Sequence, residues 1–219
     1  MIDLDAPVAD LVLAHSATAT VLDRRQIDYC CEGQRPLAQV IADRGLDGEA
    51  LVAELTTAMA APDLDADPRT ASTSALINRS LAQQHRHLRA LFALLELQGR
   101  EVVRRHAATY PALRPLVNLV EELAEHLLTH LDREEDELFP AMLAGAMTPE
   151  LRASLGVMFD EHREFSQALR RLRQVSNGYQ APAGAPIEVI ELYAALHELE
   201  LLVVRHHHVE NHALLPRFR

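Results

Sequence analysis

The sequence contains no tryptophan, no lysine and only two cysteines among its 219 residues. Aromatic residues make up 4% of the chain while hydrophobic residues make up 48%, so the core must be built from Leu, Ala and Val. That composition is typical of helical bundles. The formal net charge of -11 and the lack of any basic stretch argue against non-specific binding to nucleic acid or anionic membranes.

The sequence predicts neither a membrane span nor a secretory leader. No window approaches the ~18 consecutive apolar residues of a membrane helix, and the first nine residues lack a basic segment followed by an apolar run. The two cysteines, Cys30 and Cys31, are neighbours, and a disulfide between adjacent residues is strained. We therefore expect a cytoplasmic protein with reduced thiols.

The chain is predicted to be all-α, with a small domain, a linker and a bundle. Residues 1–60 indicate short helices at 7–23, 36–43 and 47–59, with Asp47 as a cap and the cysteines in a turn at 28–33. Residues 61–73 are acidic, contain two prolines and lack periodicity, which is typical of a linker. Residues 74–219 contain four long amphipathic segments, and their short connections predict an antiparallel up-and-down four-helix bundle. The four segments cover roughly residues 74–107, 115–143, 149–176 and 187–217.

Two of these segments are internal copies. The frame H-x-x-x-E-x-x-x-L-x-P occurs from His130 to Pro140 and again from His206 to Pro216. His85 precedes His130 by 45 residues, and His162 precedes His206 by 44. This spacing indicates that a whole helix pair is duplicated.

The duplicated frame places six polar side chains on apolar stripes. They are His85, His130, Glu134, His162, His206 and Glu210. Buried carboxylates without partners cost several kcal/mol each. Imidazole nitrogens and carboxylate oxygens suit iron, manganese or zinc, and carboxylates from two helices can bridge a metal pair. The pattern therefore predicts a two-metal site inside the bundle.

The same residues allow other interpretations. A lone histidine on an apolar stripe is more often a hydrogen-bonded core residue than a ligand, but six residues in one frame favour a site. His208 and His212 form a second i, i+4 pair that could bind metal, and His126 is a candidate for supporting His130. The Glu-x-x-His spacing of ferritin-like sites and the H-E-x-x-H of zincins are absent from the sequence.

The pattern of four histidines and two H-x-x-x-E pairs resembles the hemerythrin-like cation-binding domain over residues 74–217. In the oxygen-carrying hemerythrins the third helix carries H-x-x-x-H, whereas Ser166 stands four residues after His162 here. The fifth histidine of that pattern is missing. The resemblance therefore implies an open position on one metal and speaks against simple reversible oxygen storage.

The segment Asp28-Tyr29-Cys30-Cys31-Glu32-Gly33 resembles the D-Y-C-C-G-G segment of the repair-of-iron-centres family, with Glu32 in place of the first glycine. The resemblance implies two iron ions per chain with oxo and carboxylate bridges, manganese or zinc being the alternatives. It also implies the same six metal ligands, with Glu134 and Glu210 bridging, and a redox, iron-transfer or nitric-oxide-contacting role for Cys30 and Cys31.

The resemblance implies a stress-response protein that repairs iron-sulfur clusters damaged by nitric oxide or oxidation, by donating iron or reducing nitric oxide. Its partners would be damaged iron-sulfur proteins and nitric oxide or dioxygen, with no nucleic acid or membrane, and a homodimer is left open. The alternative function is an oxygen or redox sensor, or a metal-binding module without turnover.

Overall fold

A computed structural model describes residues 2–62, 66–145 and 147–218. Within these ranges the chain is all-α, as predicted, and its only extended pairing is a single bridge between Pro7 and Pro36. The chain divides into two compact units, one formed by Met1–Leu76 with His207–Arg219 and the other by Ile77–His206.

The first unit contains four short helices before the bundle. They are α1 (Val8–Ala14), α2 (Thr18–Arg24), α3 (Leu37–Arg44) and α4 (Gly48–Met59). The sequence predicts one helix over residues 7–23, but the backbone at His15 is extended, with φ -155° and ψ 102°. The Thr18 hydroxyl donates to the His15 carbonyl at 2.7 Å and so favours a break over a continuous helix. The predicted cap of α4 is confirmed, because Asp47 accepts from the backbone N–H of Ala50 at 3.0 Å.

The predicted linker is partly described, since residues 63–65 lie outside the described residues. Its later part forms a short 3₁₀ helix, Pro68–Thr70. Arg217, near the end of the chain, donates to the carbonyl of Pro68 at 3.4 Å and to the Thr73 hydroxyl at 3.3 Å. These bonds fasten the C-terminal segment to the linker within the first unit.

The remaining helices build a four-helix bundle. They are α5 (Thr73–Arg79), α6 (Arg86–His106), α7 (Leu113–Arg133), α8 (Phe139–Ala144), α9 (Pro149–Val175) and α10 (Ile187–Val209). Three π-helical turns interrupt or extend them, at Ser80–His85, Glu134–Leu138 and Glu210–Leu214. The four long predicted segments thus correspond to α5–α6, α7–α8, α9 and α10.

The second unit is held together by one apolar core between α6, α7, α9 and α10. Fully buried members include Leu88, Leu127 and Leu199, and removal of such aliphatic side chains from water is the main term that stabilises a bundle. The start of α9 is fixed as predicted, since the Thr148 side chain accepts from the N–H of Leu151 at 3.2 Å. None of the helices in the described ranges is sufficiently long and apolar for a transmembrane segment.

Candidate metal centre

Five of the six predicted ligands lie in the second unit and are buried. His85 ends the first π-helical turn, His130 lies in the last turn of α7, and Glu134 opens the second π-helical turn. His162 lies in the middle of α9, and His206 lies near the end of α10. None of the five side chains is more than 2% exposed. The four helices of the bundle therefore each contribute a histidine to its interior.

The four histidines point the same ring atom, Nε2, towards one another and towards Glu134. His130 Nε2 lies 3.2 Å from Glu134 Oε1, and His85 Nε2 lies 3.4 Å from Glu134 Oε2. His206 Nε2 lies 3.7 Å from the same Oε2 atom. His162 Nε2 lies 3.2 Å from His130 Nε2. Four imidazoles thus present Nε2 atoms to one small volume beside a carboxylate.

Three of the four distances have the values expected for ligands that share a cation, and the fourth, from His206, is 3.7 Å. With metal–ligand bonds of about 2.1 Å, two ligands at 90–110° are separated by roughly 3.0–3.4 Å. Charge-assisted hydrogen bonds between nitrogen and oxygen are shorter, at about 2.7–2.9 Å. His85 Nε2 and both Glu134 oxygens are buried without a hydrogen-bond partner. The donor set and its spacing fit a bound metal ion, and iron, manganese and zinc all accept imidazole and carboxylate ligands.

The other ring nitrogens point outward to acceptors. His85 Nδ1 lies 2.9 Å from Glu135 Oε1, and His130 Nδ1 lies 2.7 Å from Glu161 Oε2. His206 Nδ1 lies 3.2 Å from Gln84 Oε1. Carboxylate and amide oxygens only accept, so Nδ1 carries the proton and donates. In the neutral form of these three rings the inward Nε2 atom therefore carries the lone pair that binds a metal.

Two arginines hold the outer carboxylates in place. Arg89 donates to Glu135 at 3.0 Å, and Arg133 pairs with Glu161. Burial raises the pKa of Glu161, but the hydrogen bonds from His130 and Arg133 outweigh it and lower the pKa to about 2. Glu161 is therefore ionised and orients the His130 ring across the usual range of pH.

The electrostatics of the centre favour positive charge. Burial lowers the pKa of His130, but Glu134 and Glu161 outweigh burial and raise the pKa to about 9. Without a cation the ring therefore carries a proton at Nε2 as well, and a bound metal ion takes the place of that proton. Burial raises the pKa of Glu134, yet the surrounding imidazoles hold it well below its usual value. An ionised carboxylate this deeply buried would cost several kcal/mol if no cation compensated it. A metal ion supplies that compensation.

Glu210, the sixth predicted ligand, opens the third π-helical turn and is buried. It follows His206 by four residues, as Glu134 follows His130. Its role as a bridging ligand stays a prediction from the duplicated frame.

Several histidines have other roles than the sequence suggested. His126 is exposed, and the partner of His130 is Glu161, which the sequence analysis missed. His208 and His212 each contact a backbone carbonyl, that of Tyr29 at 3.1 Å and that of Cys30 at 2.6 Å. Burial lowers the pKa of His208 to about 3, so its ring is neutral. The pair serves the cysteine turn by hydrogen bonding.

Cys30 and Cys31 form no disulfide in the first unit, where Cys30 is buried and Cys31 is half-buried. Glu32 does not adopt a positive φ, so its backbone conformation does not require glycine. Glutamate therefore fits at the position of the first glycine in the D-Y-C-C-G-G segment. Gly33 cannot be replaced, because a Cβ there would lie 2.1 Å from the Tyr29 carbonyl oxygen. The turn therefore needs only its second glycine.

A surface cleft of about 460 Å³ opens between α7 and α9 and reaches His130. Glu161 and Arg133 line it, together with the exposed Glu122 and Glu164. The cleft brings solvent to the outer side of a predicted ligand.

This arrangement of four histidines and H-x-x-x-E helices defines a hemerythrin-type cation-binding bundle. The hemerythrin HHE cation binding domain matches residues 76–218, and the chain belongs to this family. A second domain, described as a domain of unknown function (DUF542), matches residues 4–59.

The chain is also similar over nearly its whole length to proteins named iron-sulfur cluster repair protein YtfE. Those of Enterobacter sp. (strain 638) and Citrobacter koseri are each 29% identical over 213 residues, which covers 97% of this chain and 96% of theirs. The protein of that name from Escherichia coli strain K12 / DH10B matches to the same extent.

Proposed function

We propose that this protein binds two iron ions and repairs iron-sulfur clusters damaged by nitric oxide or oxidation. One observation carries the proposal: four imidazole Nε2 atoms face one another beside the buried Glu134, and three of the four separations suit ligands that share a cation. The names of relatives that match 97% of the chain supply the reaction class.

His85, His130, Glu134, His162, His206 and Glu210 would hold the iron, with the two glutamates bridging. Bound iron would supply ions for a damaged cluster, or electrons and open positions for nitric oxide. The residues of the chain would orient the metal ligands and control access to the centre. Glu135 and Glu161 would fix the rings of His85 and His130, and the apolar core would exclude water. The cleft beside Glu161 would give iron and small ligands access to the His130 side.

The first test is metal content. Protein purified from iron-supplied cells should contain about two irons per chain and show the absorption of an oxo-bridged ferric pair. Glu134→Gln should lose both, because it removes the carboxylate charge at the centre. Glu137→Gln, at an exposed position of the same π-helical turn, is the matched control and should keep them. Full iron content in Glu134→Gln would contradict the assignment.

The second test is repair. The iron-loaded protein, mixed anaerobically with a nitrosylated iron-sulfur enzyme, should restore that enzyme's activity, and the Glu134→Gln variant should not. Catalytic conversion of nitric oxide to nitrous oxide would show that the metal centre reduces nitric oxide. A stoichiometric nitric oxide adduct with neither activity would contradict the proposal and favour a sensor.

A further inference from the structure

The cysteine turn of the first unit is a tightly closed structure. Asp28 Oδ1 accepts from the backbone N–H of Cys30 at 2.9 Å and of Cys31 at 2.8 Å. The chain then passes so close to itself that only glycine fits at Gly33. A turn fixed on both sides has little room to absorb a change at either thiol.

The C-terminal segment of the same unit binds this turn with three side chains. Asn211 Nδ2 donates to Cys30 Sγ at 3.4 Å, His212 Nε2 lies 2.6 Å from the Cys30 carbonyl, and His208 Nδ1 lies 3.1 Å from the Tyr29 carbonyl. Asn211 and His212 belong to the π-helical turn Glu210–Leu214, whose first residue is the predicted bridging ligand. One short segment thus carries a predicted metal ligand and the contacts to Cys30.

The two thiols differ in accessibility. Cys30 is only 4% exposed, whereas Cys31 is half-buried and can be reached from solvent. The pKa of Cys30 is raised well above its usual value, chiefly by the contact of Cys30 with the Cys31 thiol and next by burial. Cys30 therefore stays protonated, and Cys31 is the thiol that an external reagent meets first. The two sulfur atoms are 3.9 Å apart.

We propose that Cys31 is a modification site for low-molecular-weight disulfides and that its modification loosens the π-helical turn that carries Glu210. Because the two sulfur atoms are 3.9 Å apart in a turn closed by Asp28 and Gly33, we expect a substituent on Cys31 to displace the Cys30 sulfur. Displacement breaks the contacts of Cys30 with Asn211 and His212, which hold the turn. Asn211 and His212 act as positioning residues. The inference rests on the proposed function, because Glu210 matters only as a metal ligand.

The reaction is an ordinary thiol–disulfide exchange. Cys31 loses its proton, and its thiolate attacks one sulfur of the disulfide. The old S–S bond breaks as a new one forms to Cys31, and the other half of the disulfide leaves as a thiolate that takes up the proton. An excess of the free thiol reverses the step.

Thermodynamic linkage makes the coupling measurable from both ends. If modification weakens iron binding by some factor, bound iron must disfavour modification by the same factor, and couplings of this kind are typically 5–150-fold. We expect about a tenfold effect in each direction. Neither measurement requires any catalytic activity.

The experiment uses the full chain with and without iron in buffers of oxidised and reduced glutathione. Intact mass gives the modified fraction at Cys31, and competition with a chelator gives the iron affinity. Cys31→Ser removes the site. Ala60→Cys in that background puts a thiol on an exposed position after α4, and its exchange constant should be the same with and without iron. Asn211→Ala, or the milder Asn211→Ser if the first misfolds, should bring the coupling factor towards 1.

Equal exchange constants of Cys31 with and without iron would overturn the inference. An unchanged iron affinity after modification would overturn it as well. Iron binding without repair of clusters would contradict the proposed function alone, since the coupling could still be measured. A protein that bound no iron would contradict both.

Discussion

At the scale of single residues, the centre depends on side chains that do not face it. Glu135 and Glu161 each accept from the Nδ1–H of a histidine, and each is held by an arginine. Such outer partners fix the tautomer and the direction of the ring that binds the metal. The orientation of His130 is therefore set by Glu161, from a helix that His130 does not belong to.

Glu161→Gln should weaken iron binding by roughly 10–100-fold, the usual effect of losing an outer partner of a metal-binding histidine. Glutamine keeps the size of the side chain but removes the charge that holds the His130 ring. Chelator competition measures the affinity. Glu164→Gln, an exposed position one turn along the same helix and lining the same cleft, should bind iron as the unchanged protein does. Equal affinities for both variants would refute the role of Glu161.

The sequence could predict the histidines but not these glutamates. His130 with Glu134 and His206 with Glu210 stand in a repeated frame on apolar stripes, and a buried polar residue in a pattern is informative. Glu135 and Glu161 are two of 32 acidic residues, on surfaces where acidic residues are common. Only the packing of α7 against α9 shows that Glu161 reaches His130. Its position directly before His162 is the one signal in the sequence.

At the scale of helices, two glycines separate the effect of helix–helix packing from that of intrinsic helix propensity. Gly99 in α6 and Gly156 in α9 both lie inside helices. A Cβ at Gly99 would lie 3.1 Å from two methyl carbons of Val117 on α7, whereas a Cβ at Gly156 would meet nothing within 4 Å. Gly99 therefore permits α6 and α7 to approach closely.

Gly156→Ala should stabilise the protein by about 0.5–1 kcal/mol, since alanine favours a helix more than glycine does. Gly99→Ala should instead lower the free energy of unfolding, because overpacking a close helix contact costs about 1–3 kcal/mol and outweighs the gain in helix propensity. Urea unfolding followed by circular dichroism gives both values. Gly156→Ala serves as the control for helix propensity, so equal effects of the two substitutions would show that the α6–α7 contact can adjust.

Periodicity and capping residues located most helices, and backbone detail accounts for the differences. Thr148 and Pro149 marked the start of α9, and the structure agrees. The break at His15 was missed, because the apolar residues on either side remain compatible with one helix. The π-helical turns were missed too, since a single additional residue in a turn leaves no compositional trace.

At the scale of the whole molecule, the metal and the fold should stabilise each other. A ligand that binds only the folded state stabilises it by about 4 kcal/mol at a thousandfold excess over its Kd. For a chain of this length the melting temperature should then rise by roughly 8–16 °C. Scanning calorimetry of iron-loaded and chelator-treated protein measures the shift.

The Glu134→Gln variant is the control for that measurement. It should melt at the same temperature with and without iron, since it lacks the central carboxylate. A stabilisation by iron of equal size in the variant would mean that iron binds the protein elsewhere.

The π-helical turns have a consequence for the direction of the side chains around them. In a regular α-helix the direction of a side chain fixes the direction of every residue after it, because each step adds about 100°. The wider turn after Glu134 inserts a residue into that progression, and both Leu138 and Phe139 are buried beyond it. Leu214 and Leu215 repeat the arrangement after Glu210. The additional residue therefore lets each glutamate face the centre while the two apolar residues after it still face the core, an orientation that an uninterrupted α-helix of the same sequence would not give.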